Sequence, residues 1–197
     1  MARPKSYNVE EVVERVVYAF WQHGYQALGL RELEHLTGLN QFAIRSEFGG
    51  KEGLYLTALE LYTERAISHA MQPVRDGGFR QISVFLTSLV TDGSMTSSKY
   101  GCLIVNTGIE NARVGSKRLE EAVRRYWHEL ESSFLVCLQN AIAAKEIDPD
   151  IDPEQIAKGL VSAVMGVHAQ NRLDQKTDAG IQLVDILCSQ LKSMELS

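Results

Sequence analysis

Five histidines, three cysteines and a run of alternating aspartates are the side chains of this chain that could bind a metal or do covalent chemistry. His23, His35, His69, His128 and His168 show no short spacing, such as His-x-x-x-His, that would aim two imidazoles from one helix face at one ion. Asp148, Asp150 and Asp152 alternate as at the start of a calcium loop. That loop needs glycine at its sixth position and glutamate at its twelfth, and here those places hold Pro153 and Gly159. The same residues read better as a helix start, with Asp152 as the cap, Pro153 at the first position and Glu154 in the first turn. Glu120 and Glu121 are adjacent carboxylates on a charged helix surface, where solvation explains them. With no glycine-rich phosphate loop and no nucleophile elbow, the pattern predicts no enzyme, no metal and no cofactor. Cys102, Cys137 and Cys188 are odd in number and far apart, which argues against both a disulfide framework and a zinc site. Cys102 follows Gly101 near an expected helix N-terminus. There the helix dipole favours thiolate and reactivity toward oxidants or electrophiles, the alternative being an inert buried thiol.

A different chemistry is suggested by residues 28–54, LGLRELEHLTGLNQFAIRSEFGGKEGL. Leu30, Leu33 and Leu36 recur every third residue, Gly38 stops that helix, and Leu39, Ile44 and Phe48 give a second short helix its apolar face. The other face carries Asn40, Gln41, Phe42, Ala43, Arg45 and Ser46. A short helix presenting amides, a guanidinium and small residues after a glycine turn suits the major groove of DNA. Gln41 can pair with adenine or reach a phosphate. Phe42 either presses on a thymine methyl or sugar, or covers part of its own module. Arg3 and Lys5 precede any periodic pattern; they either follow a DNA backbone or minor groove, or are incidental charge at a terminus.

The net charge of −5 speaks against a nonspecific nucleic-acid binder. The first 51 residues hold six Lys/Arg and six Asp/Glu, so the whole negative excess lies downstream. A neutral module must draw affinity from placed contacts and from a doubled surface. A hydrophobic content of 45% with 23% charged residues fits a soluble globular chain. No apolar run approaches about 18 residues, and MARPKSYN lacks a hydrophobic signal segment, so a cytoplasmic protein with no membrane partner is expected.

Residues 9–59 resemble the N-terminal DNA-binding domain of the TetR/AcrR family of bacterial transcriptional regulators. The matching positions are Ala19-Phe20 with His23-Gly24-Tyr25, Leu30-Arg31-Glu32-Leu33, Gly38-Leu39, and Phe48-x-x-Lys51-Glu52-x-Leu54. A GCLxVNTxxE stretch from Gly101 to Glu110, similar to one found in a subset of these regulators, carries the resemblance further along the chain. The resemblance implies contacts to DNA from Arg31 and Lys51 as well as from the second short helix. Two positions depart from the family pattern. Arg45 stands where a phosphate-touching tyrosine is usual, so its role as backbone clamp or base reader is open. Gly29 replaces a capping Ser or Thr, whose phosphate contact is lost or falls to a backbone amide.

The elements that must position these residues read as all-α, with about nine helices. Residues 1–52 form a three-helix DNA-binding domain with a helix-turn-helix, and 53–197 a helical ligand-binding and dimerisation domain. Helix 1 keeps the i, i+3, i+4, i+7 rhythm through Val9, Val12, Val13, Val16, Val17 and Phe20 behind an Asn8/Glu11 cap pair, with Tyr25 expected in the module core. Helix 4 is expected from about residue 51 to 71, shared between the domains and ended by Pro73 and Gly77-Gly78. Segments near 82–89, 101–110, 116–145, 153–173 and 178–194 complete the set. The resemblance places a ligand site among the later helices. Candidates with apolar bodies and polar edges are Tyr62, Phe85, Cys102, Asn106, Trp127, Phe134, Met165 and His168, each of which is otherwise simply core. The last two helices carry small residues and leucines that form either a four-helix homodimer interface or an intramolecular core. The expected function is a ligand- or redox-responsive homodimeric repressor on a palindromic operator, released by a small-molecule inducer. The competing reading is a helical small-molecule-binding or scaffold dimer that has lost specific DNA binding.

Overall fold

The computed structural model describes residues 8–93 and 96–196. Arg3 and Lys5 lie outside the described residues. Ten α-helices follow in order: α1 (Val9–His23), α2 (Leu30–Thr37), α3 (Gln41–Phe48), α4 (Lys51–Arg65), α5 (Gln72–Asp76), α6 (Phe79–Ser88), α7 (Leu103–Val114), α8 (Lys117–Ala143), α9 (Pro153–Asp174) and α10 (Ile181–Ser193). Among the described residues the only β pairing is an isolated bridge between Ile147 and Glu195. No described helix is long and apolar enough to cross a membrane.

Local sequence sets most boundaries. The Asn8 side chain accepts the Glu10 amide and opens α1, which buries Val12, Val13, Val16, Ala19 and Phe20. Full burial of a side chain such as Phe20 is worth roughly 1.5–3 kcal/mol. Gly24 ends the helix at φ 88°, and a Cβ there would stand 2.5 Å from Glu110 Oε1. Both the backbone and the neighbouring carboxylate therefore require glycine. Glu110 in turn accepts the Gln26 amide at 2.8 Å, tying the end of α1 to α7.

Helix α2 buries Leu33 but leaves Leu36 exposed, contrary to the three-leucine face expected for it. Steps of three turn 60° short of a full circle, so Leu36 lies about 120° around from Leu30. Without a side chain, Gly29 caps nothing, and its own N–H donates to Glu32 Oε2 at 2.6 Å. Asn40 caps α3 by accepting the Ala43 amide at 2.8 Å, and Ala43 and Ile44 turn into the core.

Helix 4 departs from the single long helix read in the sequence. After Arg65 the chain makes a π-helical turn, Ala66–Ala70, in which Met71 N–H bonds back five residues to Ala66 C=O at 2.9 Å. Pro73 then opens the short α5 instead of ending a helix, because its missing N–H and fixed φ cost nothing in a first turn. That extra element accounts for ten helices where nine were expected.

The remaining helices agree with the pattern within a few residues. Helix α8, about 40 Å long at 1.5 Å per residue, starts on the Ser116 cap and buries Leu119, Tyr126, Leu130, Phe134 and Leu138 against its neighbours, including α9. Asp152 caps α9 by accepting the Glu154 and Gln155 amides. The buried Asn171 donates to Leu89 C=O at 3.2 Å and accepts Gly180 N–H at 3.1 Å, so one amide joins the ends of α6, α9 and α10. One connected apolar core extends from Val12 to Leu191.

Candidate functional site

Two regions gather the residues singled out by sequence. The first is the outer side of α3. Phe42 is 79% exposed, which removes the reading that it covers the core of its own module. Arg45 and Ser46 are exposed beside it, and the Ser46 hydroxyl donates back to Phe42 C=O at 2.9 Å. Asn40 is exposed but its side chain is engaged as the cap. The Gln41 amide donates to Glu34 Oε2 at 2.8 Å, locking α3 to α2. Ala43 does not belong to this face: it is 6% exposed. Next to Ile44 on the helix, it turns into the core with it, and its small size masked that register in the sequence.

Arg31, near the start of α2, is exposed on the same module, and neither Arg31 nor Arg45 takes part in an ion pair among the described residues. Lys51, the first residue of α4, holds its ammonium 4.5 Å from the centre of the Tyr25 ring. Partial burial lowers its pKa, against the pull of Glu110 and Glu32. Tyr25 itself packs 4.8 Å from Tyr55, whose hydroxyl meets Thr107 of α7 at 2.7 Å.

The second region is a cavity of about 160 Å³ enclosed by five helices and the π turn. Val17 and Trp21 come from α1, Leu61, Tyr62 and Arg65 from α4, and Ala66 and Ala70 from the turn. Phe85 and Leu89 at α6, Thr96, Tyr126 of α8 and His168 of α9 close it. Trp21 and Tyr62 meet edge to face at 5.3 Å. The indole N–H donates to Gly101 C=O at 2.9 Å, and the Tyr62 hydroxyl donates to Cys102 Sγ at 3.4 Å. Arg65 is paired with Glu14 across α1 and α4.

His168 is 5% exposed, and its Nδ1 has no hydrogen-bond partner. Burial lowers its pKa from the ordinary 6.5 to about 4, so the ring is neutral across the physiological range. Burial likewise raises the Tyr62 and Tyr126 hydroxyls.

Of the eight sequence candidates for a ligand site, Tyr62, Phe85 and His168 line the cavity. Cys102 lies one layer behind, against Tyr62. Its expected thiolate character is not what the surroundings favour: burial raises its pKa, outweighing the Tyr62 hydroxyl and the Val105 and Ile104 amides that pull it down. Desolvation has overridden the helix dipole. The other four are not among the lining residues. Phe134 sits behind Phe85 at 5.6 Å, Trp127 packs on Tyr126 at 4.9 Å, and Met165 packs against the core. Asn106 is buried and donates to Tyr100 C=O at 3.0 Å.

The walls that sequence reasoning missed are Val17 and Trp21, Leu61 and Arg65 with the two alanines of the π turn, and Leu89, Thr96 and Tyr126. One signal was available. Val17 and Trp21 are an i, i+4 pair beside the main apolar stripe of α1, a second stripe that the small module alone does not use.

The family model described as the tetracycline repressor-like C-terminal domain matches residues 78–185. The HTH-type transcriptional repressor ComR of Escherichia coli (strain K12) is 37% identical over 71 residues, which is 36% of this chain and 34% of ComR. The chain thus matches about a third of the length of that relative. A transcriptional regulator of the TetR family from Cytophaga hutchinsonii has the same fold, with a TM-score of 0.81 at 19% identity over 95% of this chain and 94% of its own. A cysteine mutant of the TetR family transcriptional regulator CifR, complexed with 26-bp double-strand operator DNA, superposes with a TM-score of 0.77 at 19% identity, covering 98% of this chain and 100% of that one.

Proposed function

The chain belongs to the TetR family of transcriptional regulators, and we infer that it is a repressor that holds operator DNA through α3 and lets go when a small molecule fills the cavity. In this reading residues 1–52 are the reading head, and 53–197 are the ligand-binding and dimerisation domain.

The observation that carries it is the outer side of α3. An aromatic ring that is 79% exposed, next to an exposed guanidinium with no ion pair among the described residues, has no packing role there. In a major groove the same pair meets a thymine methyl or sugar and a phosphate or guanine. The operator complex of CifR, a chain of the same fold, supports that placement.

A homodimer follows from the outer sides of the last two helices. Gly159, Ser162, Gly166 and Ala169 leave α9 a flat, exposed strip, flanked by exposed Leu173, Ile181, Leu183 and Ile186. Small residues let a second copy approach closely, and a two-fold axis there sets the two heads about 34 Å apart on one side of the duplex. The cavity reaches α1 directly through Val17 and Trp21, so its filling is felt by the head as well as by α4.

The test begins with selection of bound sequences from random DNA by the purified protein, followed by titration of the selected site with Phe42→Ala and Arg45→Ala. Retained helical content and melting temperature with at least tenfold weaker binding is the expected result. Unchanged affinity in both variants would remove α3 from the interface. Ile186→Glu should convert the dimer to monomer in light scattering and weaken operator binding with it.

A further inference from the structure

The effector cavity also carries information about what it admits. We propose that it takes an uncharged, single-ring aromatic molecule bearing one hydroxyl, with the ring against Trp21, Tyr62, Phe85 and Tyr126 and the hydroxyl on the His168 imidazole. The proposal rests on the reading of this cavity as the effector site.

Size sets the first limit. A volume of about 160 Å³ is close to the roughly 150 Å³ of an engineered apolar cavity that accepts benzene. One ring with a small substituent fits that space. The walls set the second. Four aromatic side chains around one space favour a ring that meets them edge-on or offset, gaining about 0.5–1.5 kcal/mol per pair beyond area burial.

The single unmet hydrogen bond sets the third. His168 Nδ1 is the one buried side-chain nitrogen or oxygen without a partner among the described residues. A neutral imidazole offers a donor at one ring nitrogen and an acceptor at the other. A hydroxyl both donates and accepts, and so can bond the imidazole in either tautomer.

Charge sets the fourth. The cation on the wall, Arg65, is already paired with Glu14, which lowers its pull on an anionic ligand. No Asp or Glu lines the space to receive a cation. The titratable groups beside His168 are Arg65, Tyr62 and Tyr126, and none of them offers an unmet charge.

The experiment is calorimetric titration of the full chain at neutral pH with four single-ring probes of similar size: p-cresol, toluene, p-toluate and benzylammonium. Wild type should bind p-cresol at least tenfold more tightly than toluene, and the two ions should not compete. In His168→Leu, p-cresol and toluene should bind alike, with toluene affinity retained as the check that the cavity is intact. Equal affinities for cresol and toluene in wild type, tightest binding of p-toluate, or no binding of any probe would each overturn the ligand class. Operator titration in saturating p-cresol separates this from the effector reading. If cresol binds through His168 but leaves operator affinity unchanged, the ligand class stands and the release mechanism fails.

Discussion

Replacing His168 by leucine should change the stability of the protein in a way that depends on pH, with a size set by burial alone. The imidazole is neutral in the folded chain, its pKa pushed from 6.5 to about 4, while in the unfolded chain it titrates normally. Below pH 6.5 the unfolded state therefore binds the extra proton, and stability falls as pH falls. The loss begins near 6.5 and is complete below about 4. A gap of about two and a half pH units corresponds to about 3 kcal/mol in full, with about 1 kcal/mol already lost at pH 5.5 and about 2–3 kcal/mol at pH 4.5. Leucine has no such dependence. At pH 8 it also removes a buried polar atom that lacks a partner, a group whose desolvation costs about 1–3 kcal/mol. His168→Leu should thus be at least as stable as wild type at pH 8, and its advantage should widen steadily toward pH 4.5. For a chain of this size each kcal/mol moves the melting temperature by about 2–4 °C. The assay is urea or thermal unfolding of both proteins at pH 8, 5.5 and 4.5, at one fixed protein concentration because association shifts apparent stability. The carboxylates common to both cancel in the difference. A difference that stays flat between pH 8 and 4.5, or that narrows, would refute the argument that His168 is buried uncharged and unpaired.

Three further outcomes follow from the geometry. Gly24→Ala should cost more than about 1 kcal/mol, because the positive φ is unfavourable to alanine, and urea unfolding of the variant reads the loss. Asp152→Ala should remove about 1 kcal/mol by taking the acceptor from the Glu154 and Gln155 amides, read as a lower urea midpoint with unchanged slope. Iodoacetamide at pH 7.5 should leave Cys102 unmodified in the native protein, since its thiol is buried and its pKa raised; mass spectrometry showing rapid labelling of Cys102 would reinstate a reactive thiolate.

The boundaries of the helices were legible wherever a residue announces its backbone: Asn8 at the start of α1, Gly24 at its end, Asp152-Pro153 before α9. The break after Arg65 was not. A π turn has no residue of its own, and Pro73 carries the same letter whether it ends one helix or opens the next. On α3, residue type suggested a polar outer side and placed Ala43 on it, but the fold turns that methyl into the core with Ile44. The cavity was legible in part for a similar reason. Apolar spacing identifies which residues face inward and says nothing about where inward-facing side chains fail to meet. Trp21 and His168 are far apart in sequence, and only tertiary packing brings them to one space. Cys102 shows the limit of arguing from one term, since the helix end that should have favoured thiolate is buried deeply enough to reverse it.

Arg172 and Leu173 are neighbours on the last turn of α9 with opposite duties. The Arg172 guanidinium holds Trp21 C=O at 3.0 Å and Tyr100 C=O at 3.1 Å, gripping the tail of α1, while Leu173 is 77% exposed on the strip assigned to the second copy. Gly101 completes this clasp by lying so close to His168 C=O that any larger residue would collide with it. A partner docked on that strip, as proposed above, would touch the residue next to the one that holds the tail of α1. A push on that turn of α9 would then have a route to the reading head that does not run down the length of α4.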